Sequence, residues 1–206
     1  MTYSASGGVA APCGNCGSER QRFIDGYFDD ARRAPRPLAA GDHATLVYDD
    51  PATVAPFCAR FLTDGVNGGE RVVALLQDDL RDAVTAHLAS DVESAIEWQP
   101  AFLLDDDFDA GRAAAGYEAM ITADSRPTRL LAGPDSESTA GVDVDEFSRF
   151  EAMAHATITE HGATVVCVYD ASSVQPAFVD IAARCHGLEV AGDSARRNER
   201  FEYQPV

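Results

Sequence analysis

Cys13 and Cys16 are separated by two residues, a spacing that supplies half of a zinc site or one complete dithiol couple. A closed structural zinc site takes four ligands, and no second pair follows: Cys58, Cys167 and Cys185 fall inside segments that read as packed elements. Zinc at Cys13/Cys16 (alone or shared between two chains), a thiol pair that oxidises, and an inert tail therefore stay open. Six other residues have types and positions suited to holding a ligand. His43 stands just before the first predicted strand, and Tyr48 at that strand's carboxyl end, followed by Asp49 and Asp50. Glu151 shares a helical face with Phe147, Phe150, Ala154 and Ile158, and a carboxylate buried there must be paired or shift its pKa. Tyr169 and Asp170 end an apolar strand, the usual place for a ligand contact in an open α/β sheet. His186 closes a helix, where the helix dipole alone is sufficient reason for a histidine. Each has a structural alternative: turn formation for the aspartates, a satisfied core position for the histidines. Glu70 reads as structural, and Cys167 as a small core residue.

One absence removes whole reaction classes. All sixteen basic residues are arginine, and there is no lysine. The phosphate loop of a nucleotide hydrolase needs glycine-rich backbone and a lysine reaching the β/γ-phosphates, and Schiff-base chemistry needs a lysine amine.

The elements that must position these residues alternate. Strands are expected at 44–48, 71–77, within 95–104, at 128–132 and 164–169, with closing strands at 189–192 and 200–203 forming a possible hairpin. Helices are expected from Val54 to a stop at Gly65, then at 79–88, 110–123, 145–161 and 176–186, with Pro56 disturbing the start of the first. Strands separated by helices of ten or more residues imply an α/β fold with a mainly parallel sheet covered on both faces. Ala34-Pro-Arg-Pro37 reads as a stiff linker. It separates an N-terminal tail, residues 1–37, with a short helix within 18–33, from a domain at 38–206.

Net charge sets further bounds. A formal charge of −18 excludes a direct grip on nucleic acid or an anionic membrane, both of which need a basic stripe. The clusters Arg32/Arg33/Arg36 and Arg196/Arg197/Arg200 read as solvated surface. Abundant aspartate without lysine fits either a high-salt cytoplasm or a GC-rich genome. The N-terminus has neither a basic nor an apolar signal-like stretch, and the longest apolar runs are strand-sized, so a cytoplasmic protein is expected.

Gly41-Asp-His-Ala-Thr-Leu-Val-Tyr48, Phe61-Leu62, and Gly65 followed by Gly69-Glu-Arg-Val-Val73 resemble the opening of the MEDS domain. This is the sensory domain named for methanogens, methylotrophs and the dichloromethane-response regulator. Cys167-Val-Tyr-Asp170, Cys185-His-Gly187, Gly192 and Asn198 to Tyr203 are similar to its end, so the resemblance spans roughly 41–205. It implies a RecA/KaiC-like three-layer fold without the phosphate loop. It also implies a non-catalytic role: binding a small ligand, with hydrocarbon-derived or methyl compounds the proposed class, and signalling to a transcriptional or kinase partner. No output module is recognisable in the chain, and Asp135–Gly141 departs from the family pattern. A degenerate nucleotide binder, a thiol-redox protein at Cys13/Cys16, an acidic interaction module and a homodimer remain alternatives.

Overall fold

The computed structural model describes residues 35–101, 108–135 and 141–202. Cys13, Cys16 and the helix expected within 18–33 lie outside the described residues. Seven strands form one sheet: β1 (His43–Tyr48), β2 (Arg71–Leu76), β3 (Glu97–Pro100), β4 (Thr128–Ala132), β5 (Thr164–Asp170), β6 (Leu188–Ala191) and β7 (Ser194–Arg197). Their order is β3-β2-β4-β5-β1-β6-β7, and every pairing is parallel except β6 with β7. The helices are α1 (Pro51–Asn67), α2 (Asp78–Thr85), α3 (Ser90–Ala95), α4 (Ala110–Ile121), α5 (Val144–His161) and α6 (Pro176–Cys185).

Period-2 alternation divides the core into two layers. Ala44, Leu46, Tyr48, Val72, Ala74, Val166 and Val168 face α1, α2 and α3. Val73, Leu75, Leu130, Val165, Cys167 and Tyr169 face α4, α5 and α6. Both faces are covered, which is why β2, β4 and β5 carry the apolar stretches 72–76, 130–132 and 165–168. Among the described residues, no helix is long and apolar enough to cross a membrane.

Local chemistry starts and stops the elements. The Asp50 carboxylate accepts from the Ala52 amide at the start of α1, and Pro51 sits where its missing N–H matters least. Asp109 and Asp143 cap α4 and α5 in the same way. Gly162, at φ 67°, ends α5 in the left-handed conformation.

Three expectations are corrected, at the end of α1, within 95–104 and in the hairpin. Gly65 does not end α1: it is buried inside the helix, and a Cβ there would lie 2.5 Å from Arg129 Cδ, so its bareness makes room for a side chain. The helix continues past Pro56 to Asn67. Within 95–104 the described strand is only Glu97–Pro100, preceded by the short helix α3 that the sequence reading passed over. The hairpin's second strand is Ser194–Arg197 rather than 200–203, because Gly192, at φ 59°, turns the chain immediately. Finally, the proline-flanked segment meets the sheet: Arg36 and Ala195 exchange backbone hydrogen bonds of 2.9 and 3.1 Å.

Gly133, just beyond β4, is required for close approach. A Cβ there would stand 2.8 Å from the Val168 carbonyl oxygen, a backbone atom with nowhere to retreat. Gly133→Ala is expected to lower stability by about 1–3 kcal/mol, read from the urea midpoint; an unchanged midpoint would show that β4 and β5 can separate freely.

Candidate functional site

The helix after β5 runs back antiparallel to the strands, so its carboxyl end returns to the amino edge of the sheet. His186, the residue after α6, thereby meets His43, the first residue of β1, with ring centroids 3.9 Å apart. Asn198 fixes that corner: its side-chain amide donates to the carbonyls of Ala183 (2.6 Å) and His186 (2.9 Å), occupying acceptors the helix end leaves open. Above it, α5 lays Glu151 over the sheet. The Tyr169 hydroxyl donates to Glu151 Oε1 at 2.7 Å, and Glu151 Oε2 lies 3.6 Å from His186 Nε2. His43 Nε2 is 3.3 Å from Cys167 Sγ, and His43 Nδ1 is 3.3 Å from His155 Nδ1. The result is a polar seam running under α5, from Tyr169 near the carboxyl edge down to His43 at the amino edge.

The seam is almost wholly buried. His186 is fully buried, and His43, Glu151 and Tyr169 are each 2% exposed. Burial therefore dominates their electrostatics. It pushes the Glu151 carboxyl up to about 7, against the opposing pull of the Tyr169 hydrogen bond. It takes His186 down to about 3, although the bond from His186 Nδ1 to the Ala182 carbonyl (2.8 Å) favours the protonated ring. His43 falls well below its ordinary value through burial, then through His186 and His155. The thiol of Cys167 and the hydroxyls of Tyr117 and Tyr169 are pushed up, burial leading in each case. All these shifts favour neutral groups. Because His186 donates through Nδ1, its Nε2 is the lone-pair nitrogen facing Glu151. Glu151 Oε2, His186 Nε2 and the Thr45 hydroxyl are buried polar atoms without a hydrogen-bond partner. Thr45 is in register with Cys167, on the same face. Unpaired polar atoms are rare in a folded core, and these three lie on one sheet face.

A narrow cleft of about 20 Å³ reaches this seam from the carboxyl edge of β4 and β5. Tyr117, Phe147, Phe150 and Tyr169 supply its apolar wall, while Glu151 and Cys167 supply its polar atoms.

Of the six residues expected to contact a ligand, His43, Glu151, Tyr169 and His186 come together. Tyr48 and Asp170 do not. They are in register with each other and belong to the opposite side of the sheet, one residue out of phase with Tyr169. Burial, then Asp170 and Asp79, raises the Tyr48 phenol. Asp170 is occupied by its own turn, accepting from the Ser172 amide and from the hydroxyls of Ser172 and Ser173. Burial opposes ionisation there, yet those bonds keep its carboxyl below the usual range. His43, expected just before the first strand, is the first residue of β1, at the amino edge of the sheet. Cys167, His155 and Tyr117 were missed as members. Two of them carried a readable signal: Cys167 shares Tyr169's strand face at i−2, and His155 shares Glu151's helix face at i+4. Glu70 is structural, bound in two places to the Arg129 guanidinium.

This sheet order, with helices on both faces and a closing hairpin, defines an α/β domain of the RecA-like type. Among solved structures, the chain is similar to the flagellar accessory protein FlaH from Methanocaldococcus jannaschii, with 10% identity, a TM-score of 0.52, and 81% of this chain and 84% of that one covered. It also matches the RadB recombinase at 15% identity and a TM-score of 0.48, covering 81% and 78%. No curated protein matches the chain. The model of the MEDS family, the methanogen/methylotroph, DcmR sensory domain, matches residues 42–187, and the chain belongs to that family.

Proposed function

We propose that this sensory domain binds a small organic molecule in the cleft between β4/β5 and α4/α5 and passes its occupancy to a separate output partner, without catalysis. The observation that carries this reading is the unpartnered Glu151 Oε2 at the end of an otherwise apolar cleft. A ligand with one polar group and a few carbons would satisfy that oxygen and fill the aromatic wall, as small-molecule sites generally do. The cleft's size favours compounds of one to three carbons, the methyl or hydrocarbon-derived class expected from the family. The edge where a RecA-like ATPase would hold phosphates is unsuited to anions. Between β1 and β5 the rim presents Asp49, Asp50 and Asp170, Asp50 is committed to capping α1, and there is no lysine to reach a phosphate.

A panel of one- to three-carbon alcohols, amines, thiols and halogenated methanes, tested by thermal shift, is expected to contain compounds that raise the melting temperature of the wild type. Phe150→Trp, which fills the cleft, should abolish the response while leaving the protein folded. A shift that persists undiminished in Phe150→Trp, or a rise produced by ATP in place of these compounds, defeats the reading.

A further inference from the structure

The seam holds more than an anchor for an organic ligand. His43, Cys167 and His186, all buried, place their ligating atoms within 4.8 Å of one another. We propose that His43 Nε2, Cys167 Sγ and His186 Nε2 form a buried three-ligand site for a divalent transition-metal ion of the zinc type, with the Glu151 carboxyl beside it. The site shares Glu151 and the cleft with the organic-ligand reading, but the three-residue cluster stands if that reading fails.

Three observations support the proposal. First, spacing: bonds of about 2.0–2.3 Å in a tetrahedral site set neighbouring ligand atoms roughly 3.3–3.6 Å apart. His43 Nε2 and Cys167 Sγ are 3.3 Å apart, and His186 Nε2 and Glu151 Oε2 are 3.6 Å apart. The latter separation is too long for a hydrogen bond and sets the carboxyl beside the three-residue cluster. Second, orientation: a metal-bound histidine normally holds its other ring N–H on a carbonyl or similar acceptor. His186 Nδ1 is on the Ala182 carbonyl at 2.8 Å, and His43 Nδ1 faces His155, so both Nε2 atoms point into the cluster. His186 Nε2 and Glu151 Oε2 are buried without partners. Third, charge: a dication with one thiolate, two neutral imidazoles and the neighbouring Glu151 carboxylate sums to zero, which a buried interior tolerates. Binding forms one metal–sulfur and two metal–nitrogen bonds and releases to solvent the Cys167 thiol proton and the proton of the neighbouring Glu151 carboxyl, with no change of oxidation state. One thiolate and two imidazoles suit zinc or cobalt better than magnesium or calcium. Because Glu151 and Cys167 also line the cleft, an ion has a route in.

The test uses the full chain, stripped with a chelator and titrated with Co²⁺. One equivalent should produce the visible bands of a tetrahedral ion and a thiolate-to-cobalt charge-transfer band in the near ultraviolet. Both should persist in the Cys13→Ser/Cys16→Ser double variant. Cys167→Ser should lose the charge-transfer band. Where Cys167→Ser does not fold, His43→Gln decides through zinc affinity measured against a chromophoric chelator: a loss of at least about tenfold is expected. Unchanged affinity in His43→Gln, or a charge-transfer band that survives Cys167→Ser and disappears with Cys13 and Cys16, would overturn the proposal.

Discussion

Arg129→Ala is expected to destabilise the domain by about 3–4 kcal/mol, near the range for breaking a buried ion pair by removing one partner. Arg129 reaches from β4 across the open end of β2 to Glu70, donating from Nε at 2.6 Å and from NH2 at 3.0 Å. NH1 donates to the Phe61 carbonyl at 3.3 Å, and the guanidinium lies 4.7 Å from the centre of the Phe61 ring. Truncation therefore removes a planar group fixed on three sides, empties the space that Gly65 keeps clear, and leaves Glu70 facing an uncompensated interior. Glu70 retains about a fifth of its side-chain exposure, so partial rehydration holds the loss below the upper end of that range. The pair itself need not be strongly favourable, because desolvation offsets much of the attraction. Arg129→Met/Glu70→Leu should accordingly cost much less than the two alanine variants added together. Urea denaturation of the wild type, Arg129→Ala, Glu70→Ala and Arg129→Met/Glu70→Leu compares these costs; if Arg129→Ala alone costs under 1 kcal/mol, the pair is a surface ornament.

That prediction rests on features only partly legible in the sequence. Glu70 and Arg71 stand together in a turn-and-strand pattern that is easy to read, but nothing local says that Glu70 pairs with Arg129 on β4 while Arg71 pairs with Glu97 on β3. Both pairings follow from strand order, which puts β4 and β3 on either side of β2. The alternation of buried strands and amphipathic helices was readable because both faces of the sheet are covered and the apolar runs are long. Glu151 was readable for a related reason: a carboxylate among Phe147, Phe150, Ala154 and Ile158 contradicts its helix face. Tyr48 misled because it occupies a strand's carboxyl end, a correct general position, while register turns it to the other side from Tyr169. Short elements failed where their signal is weakest. Six residues of α3 offer no period to detect, and the hairpin's second strand, Ser-Ala-Arg-Arg, carries little apolar pattern at all.

Replacing Glu151 by Gln is expected to stabilise the protein at pH 8, measured metal-free in chelator. The wild-type carboxyl titrates at about 7 in the fold against an ordinary value of 4.5, so between these limits the folded state binds the proton and the unfolded state does not. Its contribution is fully present below pH 4.5 and is lost as pH rises through 7. Above that, the buried carboxylate opposes folding by on the order of 3 kcal/mol. A glutamine amide keeps the oxygen that accepts from Tyr169 and offers an N–H to His186 Nε2, with no charge to bury. His186 works in the other direction: depressed to about 3, it supplies stability above pH 6.5 that is lost on acidification toward 3, and His43, also depressed, adds to that trend. Both histidines are present in both proteins, so the difference between variant and wild type isolates the carboxyl. That difference should be near zero at pH 4.5 and grow steadily to its full value by about pH 7.5. A difference that stays flat across this range would mean Glu151 remains ionised in the fold, held by a cation the seam already contains or by water reaching it through the cleft.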